Sequence, residues 1–304
     1  EQENKNMDQP NHHATIHAEG KISVRLSLLA ILLIVPISGC QTVATNLATN
    51  MAIDLALRPV VHVAVEGGIE LKPRPGATME VILIDSKNPS AAVILMEGGS
   101  GSSRIINSAR GFLSMTREDF ADKGFFVAMP IAPSDQTEFR GGMHPDYRIS
   151  NSHLKDIGSL VTWIKKKTNL PVWIVGVSFG AVSAAYYAVN GKPKVDGVVL
   201  NSSITLKNRF IGDDVPVTNY ALDKITVPLL AVGHEDDECP DTPASGAKEI
   251  VAASISSPNA KVLIVSGGSD MGRHPCHPGT PHTFNGVEDE VVSAITRFIK
   301  SNLK

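Results

Sequence analysis

The chain has 304 residues, of which 42% are hydrophobic and 19% charged, and its formal net charge is −3. That balance is the one an ordinary globular protein has. No basic run or patch stands out, which argues against a nucleic-acid partner, and the length allows one large or two small domains.

Taken in chain order, the first forty residues stand apart from any fold. Residues 1–20 form a polar leader, unusually long for an export signal; its His12, His13 and His17 read as a solvated tail, not as a metal site. Lys21 and Arg25 supply positive charge, and residues 26–37 are an apolar run too short to span a bilayer. The run ends in Ile37-Ser38-Gly39-Cys40, which resembles a bacterial lipoprotein signal with its lipobox. The resemblance implies a signal peptide over 1–39, removed before Cys40, and a lipid anchor on that cysteine. With Gln41 next to it, the expected location is the outer membrane, facing the periplasm. An ordinary secretory signal with a chance cysteine is the plainer alternative. Residues 40–58, rich in Thr, Ala and Asn, would be a tether. Export means an oxidising compartment, and the two remaining cysteines, Cys239 and Cys276, read there as one disulfide.

Residues 60–65 and 79–84 alternate apolar and exposed positions and predict two antiparallel edge strands. Residues 91–96 are a continuous apolar run, as expected of a strand buried on both faces, and they stop at Glu97-Gly98-Gly99-Ser100-Gly101. A helix over 109–123 and a strand over 125–129 follow. The polar loop 130–147 then carries Arg140 and His144. Residues 149–167 predict an amphipathic helix, with Leu154, Ile157, Leu160, Val161 and Ile164 on one stripe. A buried strand over 172–175 breaks at Gly176-Val177-Ser178-Phe179-Gly180, and an alanine-rich helix follows over 182–189. Strands over 195–200, 227–232 and 261–265 alternate with helices over 242–256, capped by Asp241 or Thr242, and 287–299. The loop after residue 200 is too short for a large lid. Strands and helices alternating in this way predict an α/β fold: a mostly parallel sheet with helices on both faces. No repeat or change of composition interrupts residues 59–304, so one domain is expected there.

In an open parallel sheet, ligands bind at the carboxyl ends of the strands. That rule selects the loops after Met96, at Ser178, after Val232 and after Val265. Strand, sharp turn and helix around Gly-x-Ser-x-Gly is the setting of a nucleophile elbow, with the Ser178 hydroxyl raised out of the turn and the Phe179 amide beside it. The pentapeptide alone reads equally well as a turn in which Ser178 caps a helix. Further along, the loop 233–239 holds Glu235, Asp236, Asp237 and Glu238, and the loop 267–285 holds His274, His277 and His282.

Serine, acid and histidine, in that order, is the chain order of the α/β-hydrolases. From about residue 60 to its end the chain resembles that superfamily. It is most similar to small single-domain serine esterases related to dienelactone hydrolases and prolyl-oligopeptidase-type catalytic domains. The resemblance implies a serine hydrolase acting on a small-molecule acyl substrate through an acyl-enzyme, with no cofactor. Ser178 would be the nucleophile and His282 the base, in Pro281-His282-Thr283-Phe284, which is similar to the family's His-x-Phe segment. Asp237 would be the acid, with Asp236 the alternative; His274 and His277 would be surface residues, each still open as the base. The oxyanion hole would use the amides of Phe179 and of Gly99, or Ser100, in a loop similar to the family's His-Gly-Gly segment, although Glu97 stands in place of its His. The dienelactone enzymes proper use a cysteine, so their substrate does not carry over. Ester, thioester and amide cleavage, acyl transfer and peptide cleavage all fit the same triad. A binding lipoprotein with a hydrolase fold is the non-catalytic alternative. His234, Cys239, His274, Cys276 and His277 lack the regular spacing of a zinc site. A Cys239–Cys276 bridge would tie the acid loop to the base loop.

Overall fold

The apolar runs become the inner strands of an eight-stranded sheet. The structure, a computed structural model, describes residues 65–207 and 211–303. The signal, Cys40 and the tether lie outside the described residues, as do residues 60–64 of the first expected strand. The strands are β1 (Val65–Arg74), β2 (Ala77–Asp85), β3 (Ala91–Met96), β4 (Phe125–Pro130), β5 (Val172–Val177), β6 (Gly197–Asn201), β7 (Leu229–His234) and β8 (Ala260–Val265). Their order across the sheet is β1-β2-β4-β3-β5-β6-β7-β8. β2 runs antiparallel to both neighbours and the remaining pairs are parallel. The expectation that residues 79–84 form an edge strand is therefore corrected. β2 pairs on both sides, and its alternation reflects one half-covered face rather than a free edge.

Among the described residues, six helices cover the sheet: α1 (Ser103–Asn107), α2 (Phe112–Asp122), α3 (Asn151–Thr168), α4 (Phe179–Asn190), α5 (Ser245–Ala253) and α6 (Glu288–Ser301). The period-two alternation of side chains splits each inner strand between two cores. Ala92, Ile94 and Met96 of β3 face the core made with α3, α4 and α5, while Ala91, Val93 and Leu95 face the one made with α2 and α6. The expected stripe on α3 is there, and Leu160, Val161 and Ile164 are fully buried. Burying each such side chain stabilises the fold by ~1.5–3 kcal/mol. The helix opens with the Ser150 hydroxyl accepting from the His153 amide at 3.1 Å and closes on Asn169 in the left-handed region.

Two helix expectations are corrected. The helix expected over 109–123 starts only at Phe112, after Ala109 at φ 47° and the N-cap Gly111, and the short helix α1 before them is one the sequence reading did not expect. The helix expected from 242 begins at Ser245 with Ala244 at its cap, because Thr242 is used elsewhere.

After β3 the chain turns to β4 on one side, and later places β5 on the other side of β3. The loops after β3 and β5 thus meet at a topological switch point, where open α/β sheets build their sites. They meet closely: a side chain at Gly180 would drive into the carbonyl oxygen of Met96, the last residue of β3.

Candidate active site

Ser178 sits between β5 and α4 with φ 54° and ψ −122°, a conformation that costs ~1–3 kcal/mol for a non-glycine residue. The surroundings hold it there. Its amide donates to the Asn201 carbonyl at 3.0 Å, and the Asn201 side-chain amide donates to the Gly176 carbonyl at 2.8 Å. Ser178 occupies the N-cap position of α4, yet its side chain makes no capping hydrogen bond. The hydroxyl is thus not consumed by the helix, which sets the simple-turn reading aside. Phe179 opens the helix, where amides point outward and the dipole favours negative charge.

Glu97, which stands where the resemblance implied a histidine, is buried, and each of its oxygens has a backbone partner. Oε1 accepts from the Gly98 amide at 2.8 Å and Oε2 from the Ser114 amide at 2.7 Å. Ser114 is the third residue of α2, whose N-cap, Gly111, has no side chain to offer. A carboxylate from another loop therefore does the capping and meets the positive end of the helix. The Gly98 amide is thereby committed to Glu97. Gly99 has φ 57°, and a Cβ on Gly98 would lie 3.2 Å from Cβ of Ser178, so this loop lies against the serine. Behind it stands Arg148, fully buried. Its Nη2 donates to the carbonyls of Gly99 at 2.9 Å and Glu97 at 3.4 Å, and its Nη1 to Ser183 Oγ at 2.9 Å. Burial brings the guanidinium down to about 9, opposed by the charge of Glu97, so it stays protonated at neutral pH.

The loops after β7 and β8 meet. His282 Nδ1 lies 3.1 Å from Asp237 Oδ2, and the two side chains are 2% and 1% exposed. Thr242 Oγ1 donates to Asp237 Oδ2 at 2.9 Å and lies 3.0 Å from His282 Nδ1. A carboxylate can only accept, and the threonine proton is committed to it. A neutral His282 thus carries its proton on Nδ1, shared between Asp237 and Thr242, and Nε2 is the free base. Asp237 Oδ1 accepts from the Cys239 amide at 2.9 Å. Cys239 is bridged to Cys276, as the even count predicts, with an S–S distance of 2.06 Å. The base loop is tied twice more. Ser202 Oγ donates to the His282 carbonyl at 2.9 Å, and buried Phe284 packs edge-on against Phe112 of α2 at 4.9 Å.

The other candidates fall away from this centre. Asp236, Glu235 and Glu238 are exposed, and the Asp236 amide donates to His234 Nδ1 at 3.1 Å. His234 is buried; its Nε2 stands 3.0 Å from the Gly267 carbonyl, so the ring braces the loops after β7 and β8. His274 and His277 are exposed and stack at 4.9 Å. The sulfurs and rings of the zinc-like set are engaged in these other ways. Thr242 and Arg148 are the site residues that sequence reasoning missed. A hydroxyl just before a helix reads as a cap, and nothing local marks Arg148 as buried.

No family model matches the chain, and no curated protein does. Solved structures do match. A structure of TT1662 from Thermus thermophilus is 16% identical over 74% of this chain and 94% of its own, with a TM-score of 0.53. An alpha-beta serine hydrolase homologue from Coxiella burnetii is 17% identical over 79% and 99%, with a TM-score of 0.53. A thermostable carboxyl esterase from Bacillus coagulans is 12% identical over 79% and 99%, with a TM-score of 0.54. At such identity the likeness is one of fold, and the fold is that of the α/β-hydrolases.

Proposed function

We propose that this chain is a serine hydrolase that cleaves an ester, thioester or amide through an acyl-enzyme, with Ser178, His282 and Asp237 as its triad. The observation that carries the reading is the clamp of Asp237 and Thr242 on Nδ1 of His282, in loops at the same end of the sheet as the elbow serine. Ser178 Oγ attacks the acyl carbon while Nε2 of His282 takes its proton. The resulting oxyanion is met by the amides of Phe179 and Gly99. The intermediate collapses as Nε2 returns the proton to the leaving oxygen, sulfur or nitrogen. Water then repeats the sequence on the acyl-enzyme, releasing the acid and restoring Ser178. The likeness to esterase and hydrolase folds supports the same reading. A fluorophosphonate probe tests it: adduct on Ser178, absent in Ser178→Ala, is expected. No labelling of the wild-type chain would overturn it.

The export reading belongs with this one. We propose that Cys40 carries a lipid that anchors the domain to the periplasmic face of the outer membrane. The disulfide fits an oxidising compartment. Cys40→Ser should release the protein in soluble form; an unprocessed cytoplasmic product would refute the signal.

A further inference from the structure

Away from the loops of Ser178 and His282, an open groove of about 520 Å³ runs between β1 and α3. Four lysines line it: Lys72 of β1, Lys155 and Lys166 of α3, and Lys192 just after α4. Ser159 and Trp163 of α3 lie along it as well. The lysines come from three segments far apart in sequence, so the chain read in order shows no patch. The walls are fixed. Arg74 Nε, at the end of β1, donates to Asp156 Oδ1 of α3 at 2.7 Å. On the other side, a Cβ on Gly158 would lie 2.5 Å from the Lys192 carbonyl oxygen, so the segment after α4 rests on the backbone of α3. Lys165 Nζ adds a hydrogen bond to the Lys194 carbonyl at 2.8 Å.

All four lysines are exposed, and no carboxylate lines the groove. Of the acids nearest to them in sequence, Asp156 is buried and also accepts from the Tyr147 hydroxyl, and Asp196 lies 3.2 Å from Lys165. Glu70 stands opposite Glu80 of β2, outside the lining. Among the described residues, none of the four is ion-paired.

The spread of the charges says what they fit. Lys155, Ser159, Thr162 and Lys166 follow one another at intervals of three and four, which puts them on one face of α3. The two lysines at its ends are roughly 16 Å apart along the helix axis. A row that long cannot close on one small anion, but it matches a surface that carries many. Half-buried Trp163, packed against the core beneath, is the side chain that favours the boundary between headgroups and acyl chains. Lysine stems lie along such a surface while their charged ends meet its phosphates.

We propose that this groove holds the domain against an anionic phospholipid surface, with its lysines on the headgroup phosphates. The contact goes beyond the hydrolase reading and needs neither the triad nor a lipid on Cys40, although the segment proposed to carry that lipid leads in sequence into β1, one wall of the groove. Flotation of the Cys40→Ser chain with vesicles keeps the anchor out of the measurement. Binding should be at least about tenfold tighter to phosphatidylcholine vesicles holding about 30% phosphatidylglycerol than to phosphatidylcholine alone, and should fall away as salt rises. Lys155→Gln, Lys166→Gln and Lys192→Gln should each weaken it by about fivefold, while Lys248→Gln, exposed on α5, should change it by less than about twofold. Equal affinity for the two vesicles, or an equal effect of Lys248→Gln, would overturn the groove. Trp163 emission should shift to shorter wavelength on binding, and Trp173, fully buried, should not contribute; an unmoved spectrum would overturn the groove too. Competition by about 10 mM inorganic phosphate at constant ionic strength would mean a single-anion pocket. Tighter capture by polyglutamate than by the vesicles would mean an acidic protein partner. Either result would overturn the membrane contact.

Discussion

Among the described residues, a grouping of acid, histidine and hydroxyl is found in two places, built to opposite ends. In the first, Asp237 and Thr242 clamp Nδ1 of His282, and Ser178 stands free of its helix. In the second, His153 Nε2 lies 2.9 Å from Ser183 Oγ, and Asp156 is nearby. There, however, His153 Nδ1 stands 3.9 Å from Asp156 Oδ2, too far for a hydrogen bond, and has no other partner. Asp156 instead accepts from Arg74 Nε at 2.7 Å and from the Tyr147 hydroxyl at 2.5 Å. Ser183 lies inside α4, fully buried, and accepts from Arg148. The residue types agree, but only the first grouping has a fixed tautomer and an elbow hydroxyl. The second is a brace: it holds Arg148 against the Glu97 and Gly99 carbonyls. Reactivity follows from which imidazole nitrogen is tied down and where the hydroxyl sits, not from the company of residue types.

The sharpest way to break this contrast is to delete each hydroxyl in turn. Ser178→Ala should remove aryl-ester turnover by ~10⁵-fold or more. Ser183→Ala should leave most of the turnover and instead cost ~1–3 kcal/mol of stability, since it strips a partner from buried Arg148 and His153. Paired kinetics and urea melts check both; loss of turnover in Ser183→Ala alone would reverse the assignment. The acids come next. Asp237→Asn should cost ~10⁴-fold in kcat by favouring the wrong tautomer of His282, whereas Asp236→Asn, whose side chain is exposed, should cost less than about threefold. Equal losses in the two variants would deny Asp237 its role.

The two regions also differ in how far they can be read from sequence. Continuous apolar runs announce β3 and β5, and these signals are local, carried within a few residues. The choice of Asp237 over Asp236 came instead from the family resemblance, and Asp237 is the one that meets His282. The signal for β1 is weakened by Gly67 and Gly68, which interrupt its alternation with residues of no side chain. Glu97 could not be read, because its worth depends on a helix N-terminus that has no cap of its own. Thr242 could not either, since its partner lies forty residues away. What escapes is whatever takes its meaning from a tertiary partner.

The bridge sharpens the comparison in another way, because only the first grouping is held covalently. Cys239 and Cys276 are 37 residues apart in sequence, and a loop of that size is worth ~4 kcal/mol on the chain-entropy account. Its amide also donates to Asp237 Oδ1, so releasing Cys239 loosens the acid directly. A displacement of about an ångström in such a group costs up to ~100-fold in rate. Mild reduction should therefore lower kcat by tens of fold before the far-ultraviolet circular dichroism changes. A simultaneous loss of both signals would mean that the bridge holds the sheet itself.

The smallest expected effect belongs to the brace, and it is one of pH. Burial depresses the pKa of His153, and the positive charges of Arg148 and Arg74 act in the same sense, against the opposing pull of Asp156. Tyr147 and Ser183 complete the polar groups around the ring. A histidine whose folded pKa lies below its unfolded value near 6.5 binds its proton more readily in the unfolded chain. Its contribution is therefore complete above about pH 6.5 and is lost as pH falls from there toward the folded value, by at most about 1.4 kcal/mol per pH unit. Urea midpoints measured at pH 7.5, 6.5 and 5.5 should fall across that window. His153→Gln keeps a polar group for Ser183 but cannot titrate, so the fall should be shallower in that variant. Equal slopes in the two chains would show that His153 takes up its proton in the fold as easily as in water, and that the brace tolerates a third positive charge beside Arg148 and Arg74.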